Sequence, residues 1–272
     1  MVSQEQRRRQ LAREKFLRQQ QRRTAARRKT HTRNAVIASV VGVLVAGGAL
    51  SFATGVFKKD DKKTSAGSEV SPSATPSKAS DPCEKPAAGK VKSLSWKKEP
   101  AVTIDKSAAY TMKMATTCGD IDIALKASAA PHTVNSFSYL AGKGFFDHTK
   151  CHRLTTNGIY VLQCGDPTAQ GSGGPGYTIP DENLKDKTLK DGVYPAGTIA
   201  MANTGQKHTG GSQYFLVYQD SKLPPSYTPF GTISKSGMTV LKKIAGAGES
   251  TGQGDGAPNA TVVINKMTVT KS

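Results

Sequence analysis

Residues 109–125 read AYTMKMATTCGDIDIAL. Tyr110, Met112 and Met114 alternate with Thr111 and Lys113. After a Cys-Gly-Asp turn, Ile121, Ile123 and Leu125 alternate with Asp120 and Asp122. A side-chain period of two puts each apolar set on one face of an extended chain, so the two runs predict an antiparallel hairpin with one face buried.

Downstream, PHTVNSFSYLAGKGF has Pro131 at a helix start, Val134, Phe137, Tyr139 and Leu140 at helical spacing, and Gly142 as a stop. Further strands are predicted at 151–155, 159–164, 197–202, 213–218, 229–233 and 261–270, with a second short helix near Met238 to Ala245. Six to eight strands and two helices in this length predict a mainly-β fold, a closed eight-stranded antiparallel barrel with helices over its ends.

Upstream of the hairpin the chain changes character. Residues 1–33 hold 12 Lys or Arg against Glu5 and Glu14, a net +10, and so carry much of the whole chain's +18. Residues 34–57, NAVIASVVGVLVAGGALSFATGVF, have no ionisable side chain. As a helix they span about 35 Å, enough for a hydrocarbon core of ~30 Å, and predict a single transmembrane segment. The basic flank orients it with the N-terminus in the cytoplasm and the remainder outside. A cleaved signal peptide is the competing reading, disfavoured by the long basic leader. That leader reads as an orientation signal rather than a nucleic-acid arm, because it lacks interleaved aromatics beyond Phe16. Residues 58–104, rich in Ser, Pro, Ala and Lys without periodicity, read as a disordered linker. Residues 105–272 form the predicted folded domain, with 16 basic and 12 acidic residues.

Four strings in series then carry a resemblance: CHRLTTNGIYVLQCGD (151–166), GSGGPGY (171–177), GTIAMANTGQKHTGGSQYFLVY (197–218) and YTPFGTI (227–233). In order and spacing they resemble the motifs of cyclophilin-type peptidyl-prolyl cis-trans isomerases, from about residue 109 to the end. The preceding segments are similar in arrangement to membrane-attached extracytoplasmic cyclophilins of Gram-positive bacteria. The resemblance implies that Arg153 is the catalytic arginine and that Gln163 orients it. It implies that Tyr160, Phe215 and Leu223, with Val161 nearby, form an apolar slot for the proline ring, with Tyr227 at the position of a frequent histidine. Ala202, Asn203 and Gln213 would hold substrate main chain. The expected substrates are proline-containing polypeptides and the expected domain is monomeric. The reaction breaks no bond and so calls for no cofactor, metal or nucleophile. The alternative is a catalytically weak proline-peptide binding module or holdase.

Departures from the family pattern are a loop two residues longer between Arg153 and Tyr160, Tyr160 for phenylalanine, Cys164 for glycine, Lys222 for an aromatic residue and one residue inserted in NTGQKHTGG. Cys83, Cys118, Cys151 and Cys164 make an even set on the predicted outer side, where disulfides form, in any of three connectivities. His148, Cys151 and His152 fall on a loop and strand start, a poor arrangement for zinc. GSGGPG is not followed by Gly-Lys-Ser/Thr, so it reads as a tight surface turn beside the site and not a phosphate loop.

Overall fold

A computed structural model describes residues 81–271. The basic leader, the apolar stretch 34–57 and the linker up to residue 80 lie outside the described residues. Among the described residues no helix is long and apolar enough to cross a membrane.

The hairpin comprises β1 (Tyr110–Thr116) and β2 (Gly119–Leu125), with Met112 opposite Ile123 and Met114 opposite Ile121. All four of these side chains are fully buried. On the wet face Lys113 reaches Asp120 at 2.7 Å. Gly119 closes the turn at φ +124°, a conformation that only glycine adopts without strain.

The helix α1 (Pro131–Gly142) follows, with proline in its first turn and no cap from Ala130. Its free N–H groups are met instead by a distant carboxylate. Glu182 accepts from the amides of His132 and Thr133 at 3.0 and 2.9 Å, where the helix dipole favours negative charge. Val134, Phe137 and Leu140 face inward, and Phe137 lies 4.7 to 5.4 Å from the rings of Phe146, Tyr214 and Phe230. This aromatic cluster is the centre of the core, and burying a ring such as Phe137 contributes roughly 1.5–3 kcal/mol.

The remaining strands are β3 (Thr149–Lys150), β4 (Arg153–Thr155), β5 (Val161–Cys164), β6 (Val193–Tyr194), β7 (Thr198–Met201), β8 (Tyr214–Val217), β9 (Ser221–Lys222), β10 (Pro229–Ile233), β11 (Asp255–Gly256) and β12 (Val263–Lys271). The helix α2 (Lys235–Gly246) lies between β10 and β11, capped by Ser234, whose hydroxyl accepts from the Gly237 amide. Ten strands form one curled antiparallel sheet in the order β11-β4-β5-β8-β7-β10-β2-β1-β12-β3, and β6 and β9 pair separately. The two ends, β11 and β3, do not pair, so the sheet is curled but open and not the closed eight-stranded barrel expected; β3 and β4, at opposite sides of the order, are neighbours in sequence. Thr149 and Lys150 pair with β12, whereas Arg153 and Leu154 pair with β5. The handover is at Cys151 and His152, whose amides donate to Val262 and Gln163 respectively.

Residues 81–104, expected as the end of a disordered linker, have no helix or strand but lie on the domain. Cys83 is disulfide-bonded to Cys118 in the β1–β2 turn. The Ala87 amide donates to Asn265, and the Asn135 side chain joins Pro100, Ala101 and Thr103. Leu94 and Trp96 pack against the core. The linker expectation therefore fails for this segment, because backbone hydrogen bonds and single anchors, not apolar periodicity, hold it.

Candidate functional site

Strand register assembles the site. Arg153 on β4 is opposite Gln163 on β5, Gln163 is opposite Phe215 on β8, and Phe215 is opposite Ala200 on β7. Directly opposed residues of an antiparallel pair share a face, so the register sets Arg153, Gln163 and Phe215 in one row across three strands.

A chain of side-chain hydrogen bonds runs along this row. Arg153 Nη1 donates to Gln163 Oε1 at 3.1 Å, Gln163 Nε2 to Gln213 Oε1 at 3.0 Å, and Gln213 Nε2 to the Gly173 carbonyl at 2.9 Å. On its other side the guanidinium donates from Nε and Nη2 to the two oxygens of Asp255, both at 2.7 Å. This carboxylate raises the arginine pKa further, outweighing the opposite effect of burial, so Arg153 is a permanent cation.

Beside the row is a slot of about 200 Å³ lined by Arg153, Ile159, Val161, Gln163, Ala202, Asn203, Phe215, Leu223 and Tyr227. All the residues expected at the site except Tyr160 and Gln213 line it. Gln213 joins through Gln163. Tyr160 is turned away: its ring meets Tyr218 edge-on at 5.9 Å, and Ile159 takes the apolar position. The reason is the pleat, since 159, 161 and 163 alternate with 160 in facing the slot. The lengthened loop makes this phase possible by turning back at Asn157, whose carbonyl accepts from the Ile159 amide at 2.9 Å.

Tyr227 is fixed from below. The buried Tyr194 hydroxyl donates to the Tyr227 carbonyl at 2.8 Å and accepts from its amide at 3.2 Å. Burial pushes the Tyr194 phenol up to about 12. Asn203 donates to the Ser226 carbonyl at 2.8 Å, tying it to the loop that carries Tyr227. Tyr214, beside Phe215 on β8, is fully buried in the core.

A second, larger cleft of about 460 Å³ adjoins the slot and shares Gln163, Ala202 and Asn203 with it. Its other wall includes the glycine-rich turn 171–176. Asp166, fully buried, folds the start of this loop by accepting from the amides of Thr168, Gln170, Ser172 and Gly173. These bonds outweigh the upward push of burial and keep the carboxyl below its ordinary pKa.

Cys151 is joined to Cys164, so the disulfide ties the segment just before β4 to the last residue of β5, beside Arg153 and Gln163. Sequence reasoning missed Asp255, Ile159 and Tyr194. Asp255 sits in GESTGQGDGAPN, which offers no motif, and only the short β11–β4 pairing brings it to the arginine.

The family model described as cyclophilin type peptidyl-prolyl cis-trans isomerase/CLD matches residues 111–269. A probable peptidyl-prolyl cis-trans isomerase B of Mycobacterium leprae is 48% identical over 198 residues, 70% of this chain and 63% of that protein. Its counterpart from Mycobacterium tuberculosis is 45% identical over 201 residues, 71% of this chain and 61% of the relative. The chain thus spans somewhat less than two thirds of either relative's length. A crystal structure of a cyclophilin type peptidyl-prolyl cis-trans isomerase from Cryptosporidium parvum superposes with a TM-score of 0.51 at 25% identity, covering 60% of this chain and 99% of that one. With the family match spanning more than half of its residues, the chain belongs to the cyclophilin-type peptidyl-prolyl cis-trans isomerases.

Proposed function

We infer that the chain catalyses cis-trans isomerisation of Xaa–Pro bonds in polypeptides, with Arg153 as the catalytic residue and Gln163 orienting it. The barrier, about 18–20 kcal/mol, exists because the nitrogen lone pair is delocalised into the carbonyl. Twisting the bond returns the pair to the nitrogen. A donor that meets the nitrogen only in the twisted state stabilises the transition state over both ground states, at about tenfold in rate per 1.4 kcal/mol.

Three of the five guanidinium N–H bonds of Arg153 are committed, two to Asp255 and one to Gln163, which leaves one on each terminal nitrogen for the peptide. Ile159, Val161, Phe215, Leu223 and Tyr227 offer the proline ring an apolar cradle, and Ala202, Asn203 and Gln213 lie where flanking main chain would pass. The observation that carries the reading is this tethered cation at the wall of a small slot that it shares with apolar and aromatic side chains.

Exported or surface proteins are the proposed clients, reached by a monomeric domain held outside the membrane through residues 34–57 with the N-terminus in the cytoplasm. Support comes from the basic leader, the uncharged apolar stretch and the pairing of all four cysteines, a state favoured in oxidising compartments.

The test is a protease-coupled assay of an Ala-Pro peptide with the full-length chain. Arg153→Ala is expected to lower turnover at least tenfold while leaving circular dichroism and melting unchanged. Equal rates for the two proteins would refute the role of Arg153. Peptide binding by the parent without turnover would move the assignment to a proline-peptide binding module.

A further inference from the structure

Trp96 belongs to the irregular segment 81–104, outside the residues that match the family, yet it touches the wall of the second cleft. Its amide donates to the Pro175 carbonyl at 2.8 Å. Next to it, Gly176 stands at φ +89°, and a Cβ there would come within 2.6 Å of the Trp96 carbonyl oxygen. The segment therefore presses directly on the glycine-rich turn, and glycine is what permits the approach.

Trp96 is itself seated on the core. Its ring lies 5.4 Å from Tyr139 of α1, edge to face, and 6.0 Å from Phe145. The same end of the turn is fastened to that helix by the next residue, because Tyr177 and Ser136 share a hydrogen bond of 2.8 Å. Glu99 meets His132 at 2.7 Å at the start of α1, and the Cys83–Cys118 disulfide fixes the far end of the segment. On the site side, the Gly173 carbonyl receives the last bond of the Arg153–Gln163–Gln213 chain. One wall of the cleft is thus held between the N-terminal segment and the catalytic row.

We propose that the segment around Trp96 is a specificity element: by bracing the turn 171–176 it sets the shape of the cleft that receives the peptide arm next to the proline. Trp96 touches neither the slot nor Arg153, so it is a positioning residue for extended substrates and leaves the handling of the proline itself alone. This rests on the isomerase reading for the identity of the ligand, but its test reads binding as well as turnover.

The experiment compares Trp96→Ala with the parent in the full-length chain, using calorimetry with a minimal Ala-Pro peptide and with two longer sets, one extended before the proline and one after it. The expected result is about a tenfold loss of affinity for one extended set, with less than a twofold change for the minimal peptide and its turnover. Trp96→Phe, which keeps the aromatic seat and the amide, should restore most of the loss. Equal losses for minimal and extended peptides, or no loss for either extended set, would overturn the proposal. If Trp96→Ala does not fold, Trp96→Leu carries the same comparison. A parent that binds the peptides but does not turn them over would sink the isomerase reading alone, since the affinity ratios still decide the role of Trp96.

Discussion

Removing the Asp255 carboxylate separates what holds Arg153 in place from what holds the fold together. In Asp255→Ala the guanidinium loses both bonds at 2.7 Å and keeps only the Gln163 bond at 3.1 Å, so it regains part of its rotational freedom. A free arginine side chain carries about 2 kcal/mol of rotamer entropy, and returning about half of it to the ground state costs the transition state about 1 kcal/mol. That is roughly a fivefold fall in kcat/KM. Because the slot is untouched, the fall should appear in kcat with KM nearly constant. Stability should hardly move, since both side chains are more than a third exposed, 37% and 56%, and solvent-screened pairs of this kind contribute about 0.2–1 kcal/mol.

The assay is the protease-coupled reaction at low temperature, beside a urea titration of each variant. Asp255→Asn keeps one acceptor oxygen and should fall between parent and alanine variant. In an Arg153→Lys background, which lacks the two-point fork, Asp255→Ala should have little further effect. A rise in kcat/KM for Asp255→Ala would refute the reasoning, because it would mean that the carboxylate competes with the peptide. An unchanged value would show that Gln163 alone suffices to aim the cation.

Burial lowers the pKa of His152, and neither ring nitrogen has a hydrogen-bond partner. The unfolded chain then binds more protons than the native one below the ordinary histidine pKa of 6.5, so this group's contribution to stability is lost as pH falls from there through the folded value. His152→Gln should flatten the urea midpoint between pH 7 and 5, and an unaltered slope would contradict this. Replacing Cys151 and Cys164 together by serine opens a short loop and should cost about 3 kcal/mol by denaturant titration, against no loss if the pairing does not form. Ile159→Ala should weaken binding of a minimal Ala-Pro peptide by roughly three- to tenfold through lost apolar area, whereas Tyr160→Phe should bind as the parent does. The opposite ranking would restore Tyr160 to the slot.

The hairpin 109–125 is legible because its buried and wet faces alternate without error, and α1 because its apolar spacing, proline and glycine agree. The row Arg153, Gln163, Phe215 is legible through motif resemblance, each member lying on a strand that the local pattern also predicts. Two-residue ladders such as β6–β9 and β11–β4 are too short to impose any period, and cysteine pairing has no local signal. Ile159 and Tyr160 differ only in pleat phase, which the two added loop residues reset beyond the reach of a motif.

What stays hidden is polar and long-range. Asp255 meets Arg153 across 102 residues, Glu182 caps α1 from about fifty residues away, and Trp96 reaches Pro175 from a segment with a linker's composition. None of these contacts needs a periodic pattern, because a single donor and acceptor are enough. Apolar burial scales with area and leaves a repeating signature in the chain, whereas aiming a guanidinium takes two or three hydrogen bonds of fixed geometry from wherever the backbone supplies them. The fold's framework is therefore readable from 109–271. The aim of the Arg153 guanidinium, which the Asp255 variants measure, is set in part by Asp255, a residue that sequence alone presents as loop.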